Sequence, residues 1–174
     1  MEQINIVSKL SLNDYIKSNF RISYLKVLNI MIGIIGFLFL FVGGAMALHD
    51  MVYPNPARES SSSYFVFFYG LALVLYVPVK VYFSSKNIFK SNQRIQEEMT
   101  YEFSEKDIKT TGTSFNSGFD WNKLYKIRRV KNILLLYQGK QVANFINLDS
   151  VSEVDYNRLK ELILSKKLNI KVKL

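Results

Sequence analysis

LKVLNIMIGIIGFLFLFVGGAMAL at residues 25–48 and YFVFFYGLALVLYVPVKVYF at residues 64–83 decide the fold of this chain. In the first run only Lys26 and Asn29 are strongly polar, and both lie near its start. At about 1.5 Å per residue a helix of that length reaches roughly 36 Å, against a hydrocarbon core about 30 Å thick. The second run carries one charge, Lys80, near its end. A lysine placed there lays its stem along the lipid and sends its ammonium to the headgroups. Pro78 predicts a kink rather than an end to the helix. The competing reading, two buried helices of a soluble core, asks for more uncharged length than a 174-residue globule needs. Ala45-Met46-Ala47 resembles a signal-cleavage site. The polar segment ahead of it is long, however, and the apolar run exceeds the roughly 7–15 residues of a signal core, so an uncleaved anchor is predicted.

Basic residues orient the hairpin. Lys9, Lys17, Arg21 and Lys26 precede the first run, and Lys80, Lys86, Lys90 and Arg94 flank the end of the second. The loop between, residues 49–63, holds Arg58 against Asp50 and Glu59. The excess of positive charge beside the termini places both of them in the cytoplasm, in an inner (plasma) membrane protein. Tyr53, Tyr64, Phe65 and Tyr69 on one side, and Tyr24, Tyr82 and Phe83 on the other, suit aromatic belts at the two interfaces. Three regions follow: an N-terminal cytoplasmic segment (1–24), the transmembrane hairpin (25–83), and a basic stalk with a β-rich domain (84–174).

The net charge is +9. Most of it lies in 84–174, with 17 Lys and Arg against 10 Asp and Glu. A basic domain beside a membrane faces the anionic inner leaflet, so anionic headgroups are the expected lipid partner. No nucleic-acid-binding motif is present, and no nucleic-acid partner is expected. The absence of cysteine excludes disulfides, thiol catalysis and cysteine-ligated metal.

Along the chain, QINIVS at 3–8 reads as a short strand. Ser11 and Asp14 form a capping-box pattern, and the helix they open is expected to run straight into the first span. Gly36, Gly43 and Ala47 share a face of that span and predict close approach of the second span through Gly70 or Ala72; a homodimer contact is the other use of such a face. Residues 84–98 continue the second span as a helical stalk. Then 99–103, 107–111, a stretch ending at Trp121, 124–130, 133–137 and 141–148 read as short strands, with turns at Ser104-Glu105-Lys106 and Gln138-Gly139-Lys140. Residues 152–168 read as an amphipathic helix capped by Ser152 and Asp155, with Val154, Leu159, Leu162, Ile163 and Leu164 as its buried stripe. The predicted fold is a membrane α-hairpin of two transmembrane helices plus an α+β cytoplasmic domain, a pleckstrin-homology-like antiparallel split barrel capped by a C-terminal helix.

This layout resembles the YcxB-like family of small bacterial membrane proteins. The resemblance rests on the leader, the two-helix hairpin and the basic stalk with Asn92, then Tyr101-Glu102-Phe103 and the acidic turn before Ile108. Ser117 to Trp121, Leu135-Leu136-Tyr137 and the final helix complete it. The family commonly has an Ile-Pro-Lys-like step before that helix, where this chain has Phe145-Ile146-Asn147-Leu148. The resemblance brings no enzymatic activity with it. Relatives near toxin genes make immunity against a cognate toxin its functional implication.

No catalytic constellation is legible. His49 is the sole histidine and has no ligand partner nearby, Ser114 and Ser117 do not sit in a nucleophile elbow, and Asp107, Asp120 and Asp149 stand singly. No catalytic, metal or cofactor site and no enzyme activity are expected. Trp121 reads as a core residue. The candidate membrane-surface contacts are Lys86, Lys90 and Arg94 of the stalk and Lys126, Arg128, Arg129 and Lys131 of the densest basic run. Strand alternation sends Lys126 and Arg128 to one side and Arg129 and Lys131 to the other. The expected function is non-catalytic, through protein contacts at the membrane, with a toxin as one such partner. The alternative is a lipid-sensing, scaffold or regulatory module.

Overall fold

The computed structural model describes residues 3–54, 61–140 and 142–174. In chain order its elements are β1 (Ile4–Lys9), α1 (Leu12–Ser23), α2 (Val27–Val52), α3 (Ser61–Ser91), α4 (Gln93–Gln96), β2 (Glu98–Phe103), β3 (Asp107–Thr111) and β4 (Asn116–Asp120). A short 3-10 turn (Trp121–Lys123) follows, then β5 (Lys126–Val130), β6 (Ile133–Tyr137), β7 (Ala143–Asn147), α5 (Glu153–Ser165) and β8 (Lys171–Lys173). The chain divides into two compact units, Met1–Ser18 with Ile88–Leu174, and Asn19–Asn87.

The first unit holds two four-stranded sheets, ordered β1-β2-β3-β4 and β7-β6-β5-β8. All pairings are antiparallel except β5 with β8. β1 pairs with β2 from Ile4↔Phe103 to Lys9↔Glu98. The N-terminal strand, which the sequence reading sets apart from 84–174, is therefore an integral strand of that region's sheet. The reason is its alternation: Ile4, Ile6 and Ser8 point inward while Asn5, Val7 and Lys9 stay exposed. The two sheets do not close into a barrel. Asn147 N–H donates to Ser8 Oγ at 2.8 Å, a side-chain bridge between β7 and β1 rather than a ladder.

The core between the sheets gathers Tyr101, Phe103, Ile108, Ile127, Leu134, Leu136 and Ile146 with Leu159, Leu162 and Ile163 of α5. Burying a side chain of this size stabilises by roughly 1.5–3 kcal/mol. Every residue of β6 is buried. This is why it reads Ile-Leu-Leu-Leu-Tyr without alternation: both faces are covered. Over its second face, the Tyr15 ring of α1 lies 5.3 Å from that of Phe145 on β7 and 5.7 Å from that of Phe89. Trp121 is buried and its Nε1–H donates to Ser104 O at 3.0 Å, so it is a core residue.

Both Ser-x-x-Asp caps form. Asp14 N–H donates to Ser11 Oγ at 3.1 Å and Asp155 N–H to Ser152 Oγ at 3.0 Å, and each hydroxyl donates onward to the carboxylate at 2.6 Å. In α5 only Leu159, Leu162 and Ile163 are buried. Val154 and Leu164 are more than half exposed, a correction to the wider stripe. The buried set at i, i+3 and i+4 is one narrow face, which packs into the core shared by the two sheets. β8, which the sequence reading omits, adds Val172 opposite Ile127.

In the second unit, α1 does not run on into α2. Tyr24, Leu25 and Lys26 interrupt it, and Lys26 is extended at φ −87° and ψ 121°. Asn29 Nδ2 donates back to Ser23 O at 2.8 Å across the break. The first span runs Val27–Val52, longer than 25–48 at its far end, so His49 and Asp50 are helical. The second runs through Pro78 to Ser91, so the proline does not end the helix. Residues 55–60 of the expected loop, with Arg58 and Glu59, lie outside the described residues.

Candidate functional site

Glycines set the packing of the hairpin. A Cβ on Gly36 would meet Leu73 Cβ and Val74 N at 2.9 Å, and one on Gly43 would meet Phe67 Cα at 2.7 Å. One on Gly70 would meet Leu40 N at 2.5 Å and Gly36 O at 2.8 Å. The two helices therefore touch backbone to backbone along Gly36, Gly43 and Gly70, as small residues allow. Ala47 is half-buried beyond them and Ala72 is exposed, so Gly70 is the close-packing residue of α3. Near the loop, Ser63 Oγ donates to Asp50 Oδ2 at 2.5 Å. The His49 ring stands 5.2 Å from that of Tyr53.

The outer faces of these helices are a sheath of apolar side chains. Phe37, Phe41, Phe65 and Phe68 are all at least 60% exposed. Both helices are long and apolar enough to cross a membrane, and few of their residues are buried in the hairpin. Exposed apolar surface on this scale is what lipid, not water, accommodates.

In the first unit the basic run of β5 is divided. Lys126 Nζ sits 4.0 Å from the Tyr137 ring centroid. Arg128 is half-buried on the same side of the strand. On the other side, the Arg129 guanidinium lies 4.4 Å from the Tyr156 ring of α5, and its Nε donates to Lys131 O at 2.7 Å. Lys131 is held in a tight turn at φ 55°. The four cations thus do not form one patch. Burial pushes the Tyr137 hydroxyl above its usual range, opposed by Arg128. Burial alone pushes Tyr101 up, and its hydroxyl donates to Phe145 O at 3.4 Å.

Among the stalk residues, Lys86 lies 5.6 Å from the Tyr82 ring and Lys90 is exposed. Arg94 stacks 5.1 Å from Phe115. Beside it, Ser114 Oγ donates to Glu97 Oε1 at 2.6 Å and Ser114 N–H to Oε2 at 3.0 Å. Those hydrogen bonds, with Thr113 N–H and Arg94, hold the Glu97 carboxyl below the usual range.

Two adjoining clefts were not legible in the sequence. One, of about 460 Å³, lies between β1 and α5 and is lined by Gln3, Ile4, Asn5, Asp155, Arg158 and Glu161, among others. The second, of about 510 Å³, continues along β1 past Asn5, Val7 and Lys9 to Glu98, Asp149 and Asp155. These residues come together because β1 pairs with β2 and α5, about 150 positions later in the chain, packs beside β1. Among the described residues no three His, Cys, Asp or Glu side chains gather as a metal site.

Residues 103–163 match the YcxB-like protein family. The match runs from the end of β2 into α5, so the YcxB-like stretch includes Ile108, Ser117–Trp121 and Leu135–Tyr137 on which the resemblance was drawn, while α2 and α3 lie outside it. Comparison with curated proteins and with solved structures gives no match.

Proposed function

We propose that this chain is an inner-membrane protein, non-catalytic, with both termini in the cytoplasm, that acts through protein contacts made by its two-sheet unit. One observation carries the reading: the two units handle apolar side chains in opposite ways. The hairpin leaves Phe37 and Phe41 about 70% exposed, a surface for lipid. The two-sheet unit fills its interior with Phe103, Ile108, Leu134, Leu136 and Leu159, each 0% exposed. A filled interior leaves the surface to do the work. The order β1-β2-β3-β4, then β5-β6-β7, then α5 supports the pleckstrin-homology-like reading of the domain, with α1 to α4 inserted in the chain between β1 and β2 and β8 added to the second sheet after the helix.

The test is an affinity pull-down of the full chain from its own membrane in mild detergent, read by mass spectrometry. One stoichiometric protein partner is expected. Co-purifying anionic lipid without any enriched protein would replace this reading with the lipid-sensing module, which the basic excess of residues 84–174 favours. For the immunity version the partner is a toxin, and deleting the protein must sensitise cells to it. Unchanged survival under toxin exposure removes that version.

A further inference from the structure

The first sheet ends in an unpaired strand. β1 shares a backbone ladder with β2 alone, so its other edge carries backbone donors and acceptors outside any ladder, with β7 reaching β1 only through the Asn147–Ser8 side-chain bridge. The Val7 carbonyl accepts from Ser150 Oγ at 3.1 Å, on the side away from β2. By the alternation of an antiparallel ladder, the N–H and C=O of Asn5 point the same way. The two clefts of about 460 and 510 Å³ lie along this edge, sharing Asn5 and Asp155. Ile4 and Leu162 give the first an apolar floor, and α5 forms its far wall with Asp155, Arg158, Glu161 and Ser165.

The charge of this groove opposes that of the chain. Glu98, Asp149, Asp155 and Glu161 line it against Lys9 and Arg158, within a protein of net charge +9. We propose that this groove binds an extended, lysine- or arginine-bearing peptide segment of a partner protein, which adds to β1 as a fifth strand. The seven residues Gln3–Lys9 offer roughly 23 Å of edge at about 3.3 Å per residue. Main-chain bonds to the N–H and C=O of Asn5 and to the N–H of Val7 supply affinity, the Val7 carbonyl being engaged by Ser150. An apolar side chain of the peptide seats over Ile4 and Leu162, and alternate basic side chains meet the carboxylates. This site rests on the protein-contact reading above and gives it a place and a partner chemistry.

The test pans a random eight-residue displayed-peptide library against the full chain in lipid nanodiscs. Enriched peptides are expected to carry Lys or Arg at alternate positions and to lose binding about tenfold or more to an Asn5→Pro variant, since proline removes an outward N–H that an edge strand does not need for folding. Glu161→Lys, at an exposed helical position, should weaken binding several-fold and leave the fold intact, which covers the case where Asn5→Pro does not fold. Peptides without basic bias, binding untouched by both variants, or no enrichment at all would overturn the proposal. So would a concentration-dependent dimer abolished by Asn5→Pro, which would assign the edge to a second copy of the chain. A pull-down partner retained equally by both variants rejects the groove while leaving the proposed function standing; absence of any partner rejects the proposed function itself.

Discussion

The hairpin and the two-sheet unit are both rich in large apolar residues, yet they use them in opposite ways. In the two-sheet unit Phe103 and Ile108 are fully buried, and water excluded from such surface stabilises the fold. In the hairpin Phe37 and Phe41 face outward, while the contact between α2 and α3 is made by Gly36, Gly43 and Gly70. In lipid no hydrophobic gain separates a buried phenylalanine from an exposed one, so small residues and close backbones hold the helices together. The same composition thus encodes a water-excluding core in one place and a lipid-facing surface in the other.

The sharpest way to break this contrast is Phe103→Ala. It removes a fully buried ring from the two-sheet core and should cost about 3–5 kcal/mol, a large share of a domain's total stability. Trp121, the only tryptophan, lies in that core and reports its melting by fluorescence. The companion change Phe41→Ala, at a 71% exposed site of the hairpin, should leave the Trp121 transition where it was. Equal losses from both would mean that the two units share one core.

Next in size is Gly70→Val. The added Cβ meets backbone atoms of Leu40 and Gly36, which cannot swing aside. Overpacking of this kind costs roughly 1–3 kcal/mol. Because the chain has no cysteine, an introduced Asp50→Cys and Ser63→Cys pair reports hairpin closure by disulfide yield. The yield should fall sharply with Gly70→Val and stay the same with Ala72→Val, which is on an exposed position.

The smallest effect concerns pH. Glu97 has a folded pKa below its ordinary value, first because of the Ser114 hydroxyl. Its contribution is therefore present above the unfolded carboxylate pKa and lost as pH falls through the folded one. Ser114→Ala should raise the Glu97 titration midpoint, measured by carboxyl-carbon NMR, with little change in melting because the group is only partly buried and solvent replaces much of the lost bond. An unmoved midpoint would remove Ser114 as the cause.

What the sequence revealed and what it hid follow a physical line. Local patterns were legible: the two apolar runs, both Ser-x-x-Asp caps, the turn at Ser104, and the alternation that splits Lys126 from Arg129. Pairings between distant segments were not. Nothing within residues 3–8 announces that they complete a sheet with residues 98–103, so the clefts beside β1 were invisible. The Lys-Val-Lys of β8 carries too little apolar signal to read as a strand. The break at Tyr24–Lys26 leaves no local signal, because apolar periodicity continues on both sides of it.

The central claim is that α2 and α3 face lipid while the two-sheet unit faces water. A nitroxide attached to Phe41→Cys or to Lys109→Cys, in the full chain reconstituted into bilayers, tests it by power-saturation electron paramagnetic resonance. Both sites are exposed in the structure. The account predicts that the label at residue 41 relaxes with oxygen and hardly with a water-soluble nickel complex, and that the label at residue 109 does the reverse. Strong nickel access at residue 41, equal to that at residue 109, would contradict it.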